Sequence, residues 1–217
     1  MARPRAAGYD AQREQILRSA AGLFARQGYA GTSMSAVAEA CGLSKAALYH
    51  YVSDKQALLA QIALEHVGRL QGLVAEVERE TPNGEPRLRA LITRFMRAYA
   101  DAQDAHRVLT EDVKFLDGAE QAQVLAGQRR VVAVFADAVA AARPGAREAA
   151  LHTPLAMLLF GMMNWTFTWL QRNGELDHEQ VGALVADLFA AGLPAVRLPA
   201  QLAHKPIRRR FRGVVPA

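Results

Sequence analysis

The sequence contains one cysteine, few aromatic residues and no long apolar run. Cys41 alone cannot close an intramolecular disulfide, and cysteine-rich metal sites are excluded with it. The expected setting is a reducing, cytoplasmic compartment. No apolar stretch reaches the ~18 to 20 residues that a membrane-spanning helix requires, so no membrane partner is expected. The segment Met1–Asp10 has no apolar h-region, so no secretory signal is expected. Alternation of apolar and polar residues is scarce, which argues against half-buried strands. No phosphate-binding glycine loop, HExxH, GxSxG or paired-glycine dinucleotide fingerprint is found, so the chain does not read as an enzyme and no cofactor is expected. His106, Glu111 and Asp112 have the wrong spacing for a metal site on one helix face, so no metal ligand is assigned.

What the 217 residues do contain is helical periodicity and an uneven charge. Residues 1–55 hold seven Lys/Arg against four Asp/Glu. Residues 56–203 hold fourteen against seventeen, and residues 204–217 hold five and none. The net charge of +5 therefore belongs to two basic ends flanking a mildly acidic body. Such a distribution suits a nucleic-acid-binding end joined to a body with another task. Three regions are expected: 1–55, 56–193 and a basic tail, 194–217.

The fold class is all-α, with about nine helices. Apolar residues Ile16, Leu17, Ala20, Leu23 and Phe24 recur at helical spacing, predicting a helix over 10–27 that Gly28 ends. Short helices are predicted over 35–41 and from the N-cap Ser44 to Tyr51. A long one follows from the N-cap Ser53 to about 79. After the break Thr81-Pro-Asn-Gly-Glu-Pro86, helices are predicted over 87–103, 105–116 and 119–142. Arg143-Pro-Gly145 is the next break. A long helix over 147–172 and a last one over 177–191 complete the body.

The most informative stretch is Thr32 to Lys55. Two short helices flank the turn Gly42-Leu43-Ser44, the pattern of a helix-turn-helix. The second helix would present Ser44, Lys45, Ala46 and Ala47 to base edges in the major groove. Lys45 can donate to guanine or to phosphate. Thr32, Tyr49, Tyr51 and Lys55 can donate to phosphate oxygens. Tyr49 and Tyr51, two apart, cannot share one helix face, so one of them is free to pack on the first helix. Cys41 reads as a small buried apolar residue. Arg3 and Arg5 form a basic arm, either a minor-groove contact or an extension without a role. The run Lys205 to Arg212 would add salt-dependent DNA affinity or serve as a solvated extension.

The segments Ile16-Leu17, Leu23-Phe24-Ala25, Gly28-Tyr29, Thr32-Ser33-Met34, Val37-Ala38, Gly42-Leu-Ser-Lys45, Leu48-Tyr-His-Tyr51 and Lys55 with Leu58-Leu59 stand in the order and spacing of one known domain. The sequence resembles the DNA-binding domain of the TetR family over about residues 10 to 60. The resemblance implies an all-helical homodimeric transcription regulator, usually a repressor released by a small ligand. It also implies DNA contacts at Thr32, Ser44, Lys45, Tyr49, His50, Tyr51 and Lys55; His50 read alone is equally a solvated surface residue.

In the body, Leu151, Leu155, Leu158, Met162, Trp165 and Trp169 follow a heptad-like spacing, and Val181, Leu184, Val185 and Leu188 line the last helix. Two such helices per chain can build a four-helix dimer interface, as the last two helices do in the TetR family. The run Phe160 to Trp169 also reads as a pocket wall, with Met162, Trp165, Trp169 and the amide of Asn164 facing a ligand, or as plain core. This stretch, with Gly174-Glu-Leu176, Asp187-Leu-Phe189 and Gly192-Leu193, is similar to TetR-family regulators of fatty-acid, steroid and aromatic-acid catabolism, which respond to acyl-CoA thioesters. For such an effector, Phe95, Met96, Tyr99, Phe115 and the region of Trp165 would meet the acyl group, and Arg94, Arg97, Lys114, Arg129 and Arg130 the phosphates. The alternatives are an efflux regulator holding a lipophilic cation against Glu111 or Asp112, and a constitutive DNA-packaging protein, which would not need the apolar Met/Trp-lined body.

Overall fold

The computed structural model describes residues 7–170 and 174–198. Arg3, Arg5 and the run from Lys205 to Arg212 lie outside the described residues. Among the described residues the fold is all-helical: α1 (Ala7–Gln27), α2 (Met34–Ala40), α3 (Lys45–Leu48), α4 (Lys55–Glu80), α5 (Glu85–Asp101), α6 (Gln103–Glu111), α7 (Gly118–Ala142), α8 (His152–Asn164) and α9 (His178–Gly192). None of these helices is long and apolar enough to cross a membrane.

By packing, the chain forms two compact units. Among the described residues, the first takes 7–67 and Ala102–Val124; the second takes Gly68–Asp101, 125–170 and 174–198. This division differs from the expected cut after residue 55, because the first half of α4, all of α6 and the start of α7 pack with the N-terminal helices.

In the first unit, α1 buries Ile16, Leu17, Ala20, Ala21, Leu23 and Phe24 along one stripe, as the periodicity predicts. Gly28 ends the helix in the left-handed region (φ 76°), its N–H bonded to the Phe24 carbonyl at 2.8 Å. Gly31 is needed for space: a Cβ there would lie 2.6 Å from the Gln27 carbonyl oxygen. The Ser33 hydroxyl caps α2, and the Ser44 hydroxyl caps α3 by accepting from the Ala47 N–H at 3.1 Å. Between them Gly42 (φ 65°) makes the turn. The cap of α4 is Asp54 rather than Ser53; its carboxylate accepts from the Ala57 N–H at 2.7 Å, and a carboxylate also suits the positive helix end.

In the second unit, α5 buries Leu88, Leu91, Ile92, Phe95, Met96 and Tyr99 at spacings of three and four. It packs closely on α9, where Gly182 sits so near Met96 that a Cβ would lie 3.1 Å from the methionine Cβ. Arg89 pairs with Asp187 at 2.7 Å and Arg97 with Glu179 at 2.6 Å, tying the same two helices at the surface. Asp177 and Gln180 form a reciprocal capping box at the start of α9.

The helix expected over 147–172 is shorter at both ends. Ala150 adopts φ 55° and α8 begins at His152. Pro154 has no N–H to bond back to residue 150, so it belongs in the first turn, where that donor would be orphaned anyway. At the other end α8 gives way after Asn164 to a 3-10 turn, Trp165–Thr168. Trp, Thr and Phe are weak helix formers, and the hydroxyls of Thr166 and Thr168 bond the carbonyls of Met163 and Trp165, both at 2.7 Å.

Candidate nucleic-acid interface

The first unit presents a short polar face. Ser44, Lys45 and Ala46 open α3 and are exposed, while Leu48 is fully buried and anchors the helix to the core. The chain leaves the helix after Leu48 by tightened turns, with the Tyr51 N–H on the Leu48 carbonyl at 2.9 Å, so α3 ends earlier than the predicted Tyr51. Tyr49 and His50 remain exposed on this turn. Tyr51 instead stacks on Tyr9 of α1, with ring centroids 4.8 Å apart and planes 24° apart. The two tyrosines therefore divide as their spacing requires: Tyr49 faces outward and Tyr51 packs on the first helix.

Two residues read as phosphate donors have other partners. Thr32 is 2% exposed, and its hydroxyl donates to the Gly28 carbonyl at 3.0 Å. The Lys55 ammonium donates to the carbonyls of Tyr29 at 2.9 Å and Thr32 at 3.0 Å, and lies 4.4 Å from the centroid of the Tyr29 ring. Both residues hold the turn between α1 and α2. A phosphate would have to displace a carbonyl to engage either one. Cys41 is buried, as a small apolar residue should be.

The same turn is gripped from α6 and the segment after it. The Tyr29 ring stacks on Phe115 at 5.3 Å and meets the edge of Phe24 at 5.3 Å. The Asp112 carboxylate lies against the Tyr29 backbone N–H. Burial, and then the neighbouring Glu111, push the Asp112 carboxyl up to about 6, against the pull of Lys114, Arg107 and that N–H. The Tyr29 phenol is raised as well, by burial and by Asp54, Asp112 and Asp117. Phe115 thus packs within the first unit, whereas Phe95 and Tyr99, expected to line a ligand site with it, belong to the second. Nor do the acidic residues suit a lipophilic cation: Glu111 is paired with Arg107 at 2.8 Å, and Asp112 is buried with its carboxyl raised toward the neutral form.

The second unit sorts the remaining predicted residues into an interior set and a surface set. Phe95 is fully buried and packs edge-on against Phe135 and Phe160, at 4.9 and 6.3 Å. Tyr99 is buried beside it, and its hydroxyl donates to the Asn164 side-chain oxygen at 2.9 Å. Asn164 thereby has the partner that an amide on an apolar helix needs. Met162, Trp165 and Trp169 do not line this interior. They are 37%, 57% and 53% exposed, and the methionine of α8 that is buried is Met163. The expected interface residues divide likewise. Leu155, Val181 and Val185 are core and Leu151 is half-buried, whereas Leu158, Leu184 and Leu188 stand 51–66% exposed. Of the seam expected along this stretch, Leu155 turns into the core and the residues from Leu158 onward face outward. The outward stripe is Leu158, Met162, Trp165 and Trp169, joined by Leu184 and Leu188 of α9.

Residues 16–62 match the family described as "Bacterial regulatory proteins, tetR family", and residues 81–193 match "Tetracyclin repressor-like, C-terminal domain". The chain belongs to the TetR family. A TetR-family transcriptional regulator from Bordetella parapertussis 12822 superposes with a TM-score of 0.78 at 33% identity, over 82% of this chain and 93% of that one. The structure of AibR in complex with isovaleryl coenzyme A and operator DNA gives a TM-score of 0.71 at 27% identity, over 82% and 98%. The transcriptional activator FasR of Mycolicibacterium smegmatis is 29% identical over 130 residues, 60% of this chain and 58% of FasR, so the match spans less than two thirds of that relative. As a TetR-family member the chain is a transcriptional regulator with an N-terminal helix-turn-helix, which rules out the enzyme and DNA-packaging readings.

Proposed function

We propose that this TetR-family regulator is a homodimeric repressor that binds a palindromic operator and is released by an acyl-CoA thioester. The observation that carries the DNA part is the exposed start of α3, where Ser44, Lys45 and Ala46 precede a buried Leu48. Small residues let the helix backbone approach the groove, Lys45 supplies a donor, and Tyr49 and His50 flank it. The observation behind the dimer is the apolar stripe of Leu158, Met162, Trp165, Trp169, Leu184 and Leu188, too exposed to be left in water by a lone chain. A two-fold axis there would pair two α3 helices on two half-sites.

The effector class is supported by AibR, whose structure holds isovaleryl coenzyme A and operator DNA. Within the second unit the buried aromatic group of Phe95, Tyr99, Phe135 and Phe160, with Asn164 as its polar member, is the surface we assign to the acyl part. Release then follows from a population shift, since a ligand moves the equilibrium only by its differential affinity for the two states. The test is a titration on duplexes that the protein itself selects from a random library, with and without a panel of CoA thioesters and their free acids. Release by one thioester and not by its acid supports the reading. DNA binding that no thioester weakens refutes the effector class and leaves the regulator role standing.

A further inference from the structure

The turn that leads into α2 is held more tightly than a surface turn needs. Tyr29 has its carbonyl on Lys55 and its ring between Phe24, Phe115 and the Lys55 ammonium, with the Asp112 carboxylate close to it. The five residues from Tyr29 to the α2 cap Ser33 are stiff. The Thr32 N–H bonds the Tyr29 carbonyl at 3.3 Å, the Thr32 hydroxyl bonds Gly28, and Gly31 sits where no Cβ fits. A shift of Tyr29 is therefore a shift of the start of α2.

Two of the groups gripping Tyr29 come from the end of α6. Asp112 is its C-cap residue and Phe115 closes the 3-10 turn that follows. Helix α6 is seated in the same unit by His106, whose ring faces His66 of α4 across a buried 3.4 Å nitrogen–nitrogen contact. We propose that Asp112 and Phe115 are positioning residues for the helix-turn-helix, setting the placement of α2 and α3 through Tyr29, so that any displacement of α6 reaches the reading head directly by way of the α1–α2 turn. The inference takes the DNA-reading role of α3 from the reading above. It does not depend on the identity of the effector.

The first measurement is amide hydrogen exchange on the full chain without DNA. Phe115→Ala and Asp112→Ala should each raise exchange across residues 33–51 about tenfold and leave residues 85–101 unchanged, while Phe115→Tyr, which keeps the stacked ring, should behave as wild type. Phe115 is 38% exposed, so its truncation leaves the core of the unit intact. Changes confined to residues 28–32 and 111–116 would overturn the proposal and reduce the contacts to local packing. The second measurement uses duplexes selected by the wild-type protein, on which Phe115→Ala should bind about tenfold more weakly. Equal affinity overturns the proposal. If the wild-type protein selects no duplex, the DNA-binding reading fails, and the exchange pattern alone decides whether the turn positions α2.

Discussion

The two units expose different chemistry for different reasons. The first presents small and polar residues at the start of α3, over a core of Leu48, Val37 and Phe24. The second presents leucines, a methionine and two tryptophans on α8, the turn after it and α9. A surface meant for a hydrated polyanion has to stay polar, because its contacts are charge-assisted and its counterions are released into water. A surface meant for a second protein copy can be apolar, because association removes it from water at ~25 cal/mol per Å². The same exposure thus marks two kinds of partner.

The sharpest way to break this comparison is to put a charge on the apolar side. Leu188→Asp or Leu158→Asp should raise the dimer dissociation constant by at least ~100-fold, because an unpaired carboxylate would be desolvated at the centre of the interface. The single chain should keep its helicity, since both leucines are 66% exposed within it. Leu155→Asp, one turn away and buried, should instead cost on the order of 4 kcal/mol and unfold the second unit. Sedimentation and circular dichroism on the three variants separate these outcomes. Similar behaviour of all three would remove the distinction between core and interface on α8.

On the polar side, Lys45→Ala should weaken binding to a selected duplex by about 10-fold, the ~1–3 kcal/mol of one good base or phosphate contact. Its melting temperature should not move, because the Lys45 side chain is exposed. Undiminished affinity would take Lys45 out of the reading set and leave Ser44 and Tyr49 to carry it.

The contrast also explains what the sequence could tell. Helix-turn-helix residues are legible because each answers a separate local demand: Gly42 a left-handed turn, Ser44 a cap, Leu48 a core anchor. Leu155 and Leu158 answer a single demand, helical periodicity, and nothing in the residue type says which one faces solvent. The same ambiguity holds for Met162, Trp165 and Trp169, which face outward. The stack of Phe115 on Tyr29 is not legible in the sequence, because the two lie 86 positions apart and no periodicity links them. The helix ends of 147–172 were recoverable in part, since Pro154 and the Thr-rich run after Asn164 are local signals that the apolar stripe outweighed.

Inside the second unit, Tyr99→Phe tests whether the buried amide depends on its donor. Losing the 2.9 Å hydrogen bond leaves the Asn164 oxygen without the Tyr99 hydroxyl, and the protein should lose about 1–2 kcal/mol by denaturant titration. A loss near zero would mean that water or backbone replaces the phenol without cost.

The smallest effect concerns Asp112, where charge opposes the polar clasp of the first unit. Burial and Glu111 raise its carboxyl from 3.8 to about 6, so the folded chain holds this proton more tightly than the unfolded chain does. A raised folded-state value means that the stabilisation from this group is complete below about 3.8 and is lost as the pH rises through about 6. At neutral pH the ionised carboxylate is therefore a cost, on the order of 1 kcal/mol given its partly wet setting and its neighbours Lys114 and Arg107. Asp112→Asn keeps the size of the side chain and removes the charge. It should raise the melting temperature at pH 7.5 by a few degrees, and the gap should close as the pH falls toward 4. A gap that stays constant across that range would show that the charge of Asp112 is already compensated, with Lys114 and then Arg107 the leading groups that compensate it.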